Sequence, residues 1–127
     1  MKLLLESHIP RAVARELSRR CPNLAVVHFR DWTQGRFLHV LDEDLLGEAA
    51  NDDLTLATYD LKTIPPLFRR LAEEGRHHTG VVLIDDATVA SSKVGGLVAA
   101  LAALWRAHGT ENWTDRCLFL QRRRGGN

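Results

Sequence analysis

Five short apolar runs alternate with four helical patterns along this chain, and that alternation limits the fold more than any other feature. The runs are Lys2–Leu5, Leu24–Phe29, Leu54–Thr58, Gly80–Ile84 and the Cys117–Leu120 stretch within residues 115–121. Each is too short for a helix and rich in Leu, Val or Thr, so each reads as a buried strand. Pro10 opens the first helix, with Ser7 or His8 near its cap and Val13, Ala14 and Leu17 turned inward. Asp42 caps the second, which carries Leu45, Leu46, Ala49 and Ala50 on one face before Asn51, Asp52 and Asp53 turn the chain. Pro65 and Pro66 open the third, with Leu67, Phe68, Leu71 and Ala72 inward and Gly75 at its stop. Ser91 or Ser92 caps the fourth, whose apolar face runs from Val94 to Trp105 and ends at Gly109. Strands alternating with helices predict an α/β three-layer sandwich on a mainly parallel sheet, joined by right-handed crossovers. The last strand is the one place where a reversal stays open.

A chain of 127 residues suits one domain with one core. We place that domain at residues 1–121 and read 122–127 as a basic, disordered tail, with a nucleic-acid arm as the alternative. The net charge of +1 gives no global field for polyanions, so any such contact needs a local patch. The two cysteines, Cys21 and Cys117, fit no CxxC or Cys/His metal spacing and read as reduced packing thiols. Glu6 interrupts the opening apolar run, so no signal peptide is expected, and no run is long enough for a membrane span. These readings place the protein in the cytoplasm.

Several polar features carry a structural and a functional reading side by side. Arg11, Arg15 and Arg19 recur every four residues, forming either a solvated helix face or a ridge for phosphates. His28 reads as a satisfied core histidine. Trp32 and Phe37 either pack their loop down or stack on a base. Arg69 with Glu73, and Arg70 with Glu74, are spaced as pairs on the third helix. His77 and His78 are adjacent on a loop and lack a third ligand, which argues against zinc.

The acids are the sharper signal. Glu6 follows the first strand, Asp60 the third, and Asp85 and Asp86 the fourth, while Asp42 heads a helix. Ligands of open α/β sheets bind outside the carboxyl ends of strands. Carboxylates gathered there repel one another unless a cation compensates. Hard oxygen ligands suit Mg²⁺ or Mn²⁺, which activates water and stabilises phosphoryl displacement. That is nuclease chemistry. No glycine-rich phosphate loop or serine elbow competes.

Two stretches carry a family resemblance. KLLLESHIPRAVARELSRR resembles the opening of small prokaryotic PIN-like domains: a strand, an acid and a proline-started helix. LDEDLLGEAANDDLTLATYDLK resembles their second motif, an Asp-led helix and then a strand ending in Thr-x-Asp. GVVLI and the apolar helix after it also fit, so the likeness covers residues 1 to 121. It implies a metal-dependent ribonuclease, as in toxins of toxin–antitoxin pairs. Glu6, Asp42 and Asp60 match the catalytic acids, and Asp44 and Asp86 are reserve metal ligands. Arg11 and Arg15 would hold single-stranded or structured RNA. An antitoxin or a second copy of the chain would be the protein partner.

Two positions depart from the family pattern. Glu6 stands where Asp is usual, followed by Ser7. Lys62 stands where relatives often carry another acid, and its ammonium opposes a metal ion or pairs with Asp60. These departures support the alternative, a non-catalytic PIN-like module that binds RNA or a protein. A receiver-like signalling domain shares the alternation and the acids. It would also need a Lys-Pro-like motif after the fifth strand and a closing helix, and CLFLQRRRGGN supplies neither.

Overall fold

A computed structural model of the chain describes residues 1–36 and 42–122. Strands β1 (Lys2–Leu5), β2 (Ala25–His28), β3 (Thr55–Thr58), β4 (Val81–Leu83) and β5 (Cys117–Phe119) alternate with helices. These are α1 (Arg11–Arg20), α2 (Glu43–Asn51), α3 (Ile64–Glu73) and α4 (Val94–His108). The strands form one sheet in the order β2-β1-β3-β4-β5. Every pairing is parallel, so the last strand does not reverse.

Alternation along β1 sets the two layers. Leu3 and Leu5 face a core made with Val13 and Leu17 of α1 and Leu97, Val98 and Leu101 of α4. Leu4 faces the opposite core, with Leu45, Leu46 and Ala49 of α2 and Leu67 and Leu71 of α3. All three β1 leucines are fully buried. Truncating any one to alanine is expected to cost about 2–5 kcal/mol, because the transfer term and the cavity term add.

The order places a switch point beside β1. The chain leaves β1 for β2 on one side and then crosses to β3 on the other, so a crevice opens at the carboxyl ends of β1 and β3. Glu6 and Tyr59-Asp60 are the residues that follow those two strands.

Some local expectations are corrected. Neither Ser91 nor Ser92 caps α4; Lys93 occupies the cap position without a side-chain bond. The Ser91 N–H is instead held by Asp86 Oδ1 at 2.8 Å. The expected pairs along α3 are replaced: Arg70 Nε meets Glu43 Oε1 of α2 at 2.6 Å, and Glu74 pairs locally with Arg76 at 3.3 Å. Trp32 packs its loop, tilted against Phe29 and donating its indole N–H to Asp52. Phe37 lies outside the described residues, as does the tail beyond Arg122. His28 is buried as read: Nδ1 accepts the Arg30 N–H, leaving Nε2 to donate to Ile9 O at 2.6 Å.

Candidate functional site at the β1/β3 crevice

Glu6 enters the crevice because β1 pairs on both sides up to its end. Glu6 N–H donates to Ala57 O, and Phe29 N–H donates to Leu5 O. The Ile9 N–H then donates to Glu6 O and turns the chain towards α1. That turn folds the next residues back over the Glu6 side chain, which is only 2% exposed. Oε2 accepts the His8 N–H at 2.8 Å and the Ser7 hydroxyl at 3.1 Å. Oε1 accepts the Tyr59 N–H at 3.3 Å. The His8 ring covers both oxygens, with Nδ1 at 3.0 and 3.1 Å. A buried carboxylate needs such donors to offset its lost hydration.

Asp60 also serves the local backbone. Thr58 Oγ1 accepts its N–H, and Oδ1 accepts the N–H groups of Lys62 and Thr63 at 3.2 and 3.0 Å. Burial pushes its carboxyl up, but the bonds from Thr63 and Lys62 and the nearby His8 charge outweigh that. The Asp60 carboxyl is therefore held below the usual range. The Lys62 side chain is exposed and makes no salt bridge with Asp60 among the described residues.

Tyr59 ties the two acids to the fourth strand's loop. Its hydroxyl donates to Val89 O at 2.7 Å. Burial, then the charges of Asp86 and Glu6, push its phenol up to about 12. Asp86 thus reaches the crevice electrostatically, while its Oδ1 is bound to the Ser91 N–H. Asp85 Oδ1 accepts the Ala87 N–H.

Asp42 stands apart from this set in its contacts. Its Oδ1 caps α2 by accepting the Leu45 N–H at 2.9 Å, and the next residue, Glu43, is tied to Arg70. Asp44 lines a different, polar cavity of about 540 Å³ with Arg36, Glu48, Arg76 and His77. The predicted RNA-contacting arginines are split. Arg11 is paired with Asp31 at 2.8 Å, and Arg15 is exposed with no salt bridge among the described residues.

The implied Mg²⁺ or Mn²⁺ would meet few uncommitted donors in this set. Such an ion is held by one or two carboxylates with water completing its shell, so those carboxylates need free oxygens. Here Glu6 is saturated by protein donors, and Asp42 and Asp60 each spend an oxygen on backbone N–H groups. Among the described residues no group of three or more His, Cys, Asp or Glu side chains could hold a metal ion.

The arrangement has a different chemical capacity. With Nδ1 turned to the Glu6 carboxylate, Nε2 is the outward nitrogen of a largely exposed His8 ring. A carboxylate behind an imidazole orients it as a proton acceptor. Sequence reasoning missed His8 and Tyr59 as members of this site. The signal for His8 was its place two residues after the acid, within reach of a turn. Tyr59 was the variable residue of the Thr-x-Asp motif. Comparison of the chain with protein-family models, with curated proteins and with solved structures found no match. No helix among the described residues is long and apolar enough to cross a membrane.

Proposed function

We propose that this chain is a PIN-like RNA-binding module of the cytoplasm whose acidic edge holds the fold together instead of holding a metal. The observation that carries this reading is the saturated, buried Glu6 carboxylate. A metal ligand must be free to bind. This one is committed to a hydroxyl, two backbone N–H groups and an imidazole.

The cations around the same strand ends support a polyanion as ligand. Arg30 follows β2, Lys62 follows β3 and Lys93 precedes α4, and all three are exposed. Helices α1 and α4 start without a side-chain cap and without acids in their first turns, so their dipoles add positive potential there. Phosphates on this edge would meet lysines and arginines whose bound counterions are released on binding, so affinity falls with salt. The test is fluorescence anisotropy with a single-stranded RNA oligomer across a salt series. Lys62→Glu with Lys93→Glu should weaken binding roughly tenfold or more and flatten the salt slope. Unchanged affinity in that double variant would refute the edge as the RNA surface.

A second reading is favoured by the electrostatic convergence of Glu6 and Asp86 on Tyr59 beside Asp60. On that reading the chain is a Mg²⁺- or Mn²⁺-dependent ribonuclease, the toxin of a toxin–antitoxin pair, with Lys62 suppressing metal affinity. Calorimetric Mn²⁺ titration of Lys62→Asp separates the two. Tight binding in that variant supports a latent nuclease site, and no binding supports the structural role of the acids.

A further inference from the structure

We propose that the groove between α3 and β5 is a binding site for a small uncharged molecule that presents one hydrogen-bond acceptor to His78 Nε2. The groove holds about 500 Å³ and is lined by Phe68, Leu71, Ala72, His77, His78 and Cys117. That volume falls in the range of small-molecule sites, which pair apolar walls with a few placed polar groups. It lies where the loop after α3 enters β4, at the edge of the sheet opposite Glu6.

The placed polar group is His78. Its ring is stacked on Phe68, with centroids 4.6 Å apart and planes 8° from parallel, and the residue is only 6% exposed. Nδ1 accepts the Gly80 N–H at 3.0 Å. The neutral ring therefore carries its proton on Nε2. Nε2 has no hydrogen-bond partner among the described residues, and no fully buried side-chain nitrogen or oxygen among them lacks one. So Nε2 is the part of this ring that reaches the surface, and the groove is the surface His78 lines. The Phe68 stack and the Gly80 bond fix the direction of this donor, so a ligand acceptor replaces water there without reordering the ring. Burial holds the His78 imidazole below its usual range, opposed by the Asp115 charge and assisted by His77, so the ring is a neutral donor at pH 7.

The rim argues for an uncharged ligand. His77 Nδ1 pairs with Asp115 Oδ2 at 2.6 Å. Arg76 is engaged by Glu74 and by Glu43 O, both at 3.3 Å. A charged ligand would find no counter-ion that is not already matched. Cys117, an exposed residue of β5, adds its thiol to the wall, and partial desolvation of that thiol favours the protonated form.

The test uses uniformly ¹⁵N-labelled protein, titrated by NMR with acetophenone and with ethylbenzene, which share a shape and differ in the carbonyl acceptor. Acetophenone should produce saturable shifts at His78 Nε2 and the Gly80 amide. Ethylbenzene should bind about fivefold more weakly, the difference one hydrogen bond makes. Ala72→Phe, on the exposed face of α3, should fill the groove and abolish both titrations while the resonances of the β1/β3 crevice stay in place. Equal affinity for the two probes, no saturable shift with acetophenone, or unchanged binding in Ala72→Phe would each overturn the proposal.

Discussion

The His8 imidazole lies 3.0 Å from the carboxylate of Glu6, two residues earlier in the chain, and places a largely exposed ring against that buried acid. The contact joins the end of β1 to the start of α1. With the Tyr59 N–H on the other oxygen, it also joins β1 to β3. One side chain thus fixes the geometry of the crevice.

Removing that side chain should destabilise the protein. Glu6→Ala removes the acceptor of the partly buried Tyr59 and His8 N–H groups, at a cost of about 1–3 kcal/mol. Chemical denaturation at pH 7 measures it. Carboxylates crowded at an empty metal site repel one another, so on that account Glu6→Ala would leave stability unchanged or raise it.

The chain contains a single tyrosine, so its phenol can be titrated without overlap from others. Absorbance near 295 nm should show no tyrosinate in the folded protein until pH approaches about 12. The sign for stability follows. The folded phenol holds its proton above the unfolded value of 10.0, so stability is complete below pH 10 and declines from there towards about 12. Tyr59→Phe should remove that alkaline decline and cost about 1 kcal/mol for the lost bond to Val89 O.

Asp60 predicts the opposite limb. Its folded carboxyl lies below the unfolded value of 3.8, so its contribution is present above that value and is lost as pH falls through the folded one. Thermal melts below about pH 4 should show wild type losing stability more steeply than Asp60→Asn. Parallel acid limbs would mean that the bonds from Lys62 and Thr63 carry no charge-dependent stabilisation.

Gly80 begins the approach to β4 with φ +103°, and a Cβ there would meet Trp113 Cε3 at 2.9 Å and Trp113 O at 3.0 Å. Gly80→Ala combines a backbone strained for any L side chain with overpacking against a buried ring. We expect a loss of about 2–3 kcal/mol by urea denaturation. A change under about 0.5 kcal/mol would mean that this turn relaxes freely.

The layers of the fold were legible because they depend on periodicity, which sequence displays directly. Leu3-Leu4-Leu5 and Val81-Val82-Leu83 are continuous apolar runs, and such runs suit strands covered on both faces. The parallel last strand was not legible, because a three-residue strand at an edge carries too little pattern to fix its direction. The site was legible in part. Acids after strands marked Glu6 and Asp60 correctly as neighbours of the crevice, since topology alone puts them there. Their partners were hidden, because His8 and Tyr59 donate backbone N–H groups, and the Ser7 hydroxyl and His8 ring reach Glu6 only through the turn's geometry, which residue identity does not encode. Asp42 was drawn into the same set by the rule that helix starts follow strand ends. Its own contacts are with its helix, through the cap bond to the Leu45 N–H, and the neighbouring Glu43 pairs with Arg70 of α3.

The most direct test of RNA binding without metal-dependent cutting follows one end-labelled single-stranded RNA in two parallel samples, one with Mn²⁺ and one with EDTA. Anisotropy reports binding, and a denaturing gel of the same samples reports integrity. The account predicts equal, salt-sensitive binding in both, with the RNA intact. Cleavage that requires Mn²⁺, stops with EDTA and disappears in Asp60→Asn would contradict it.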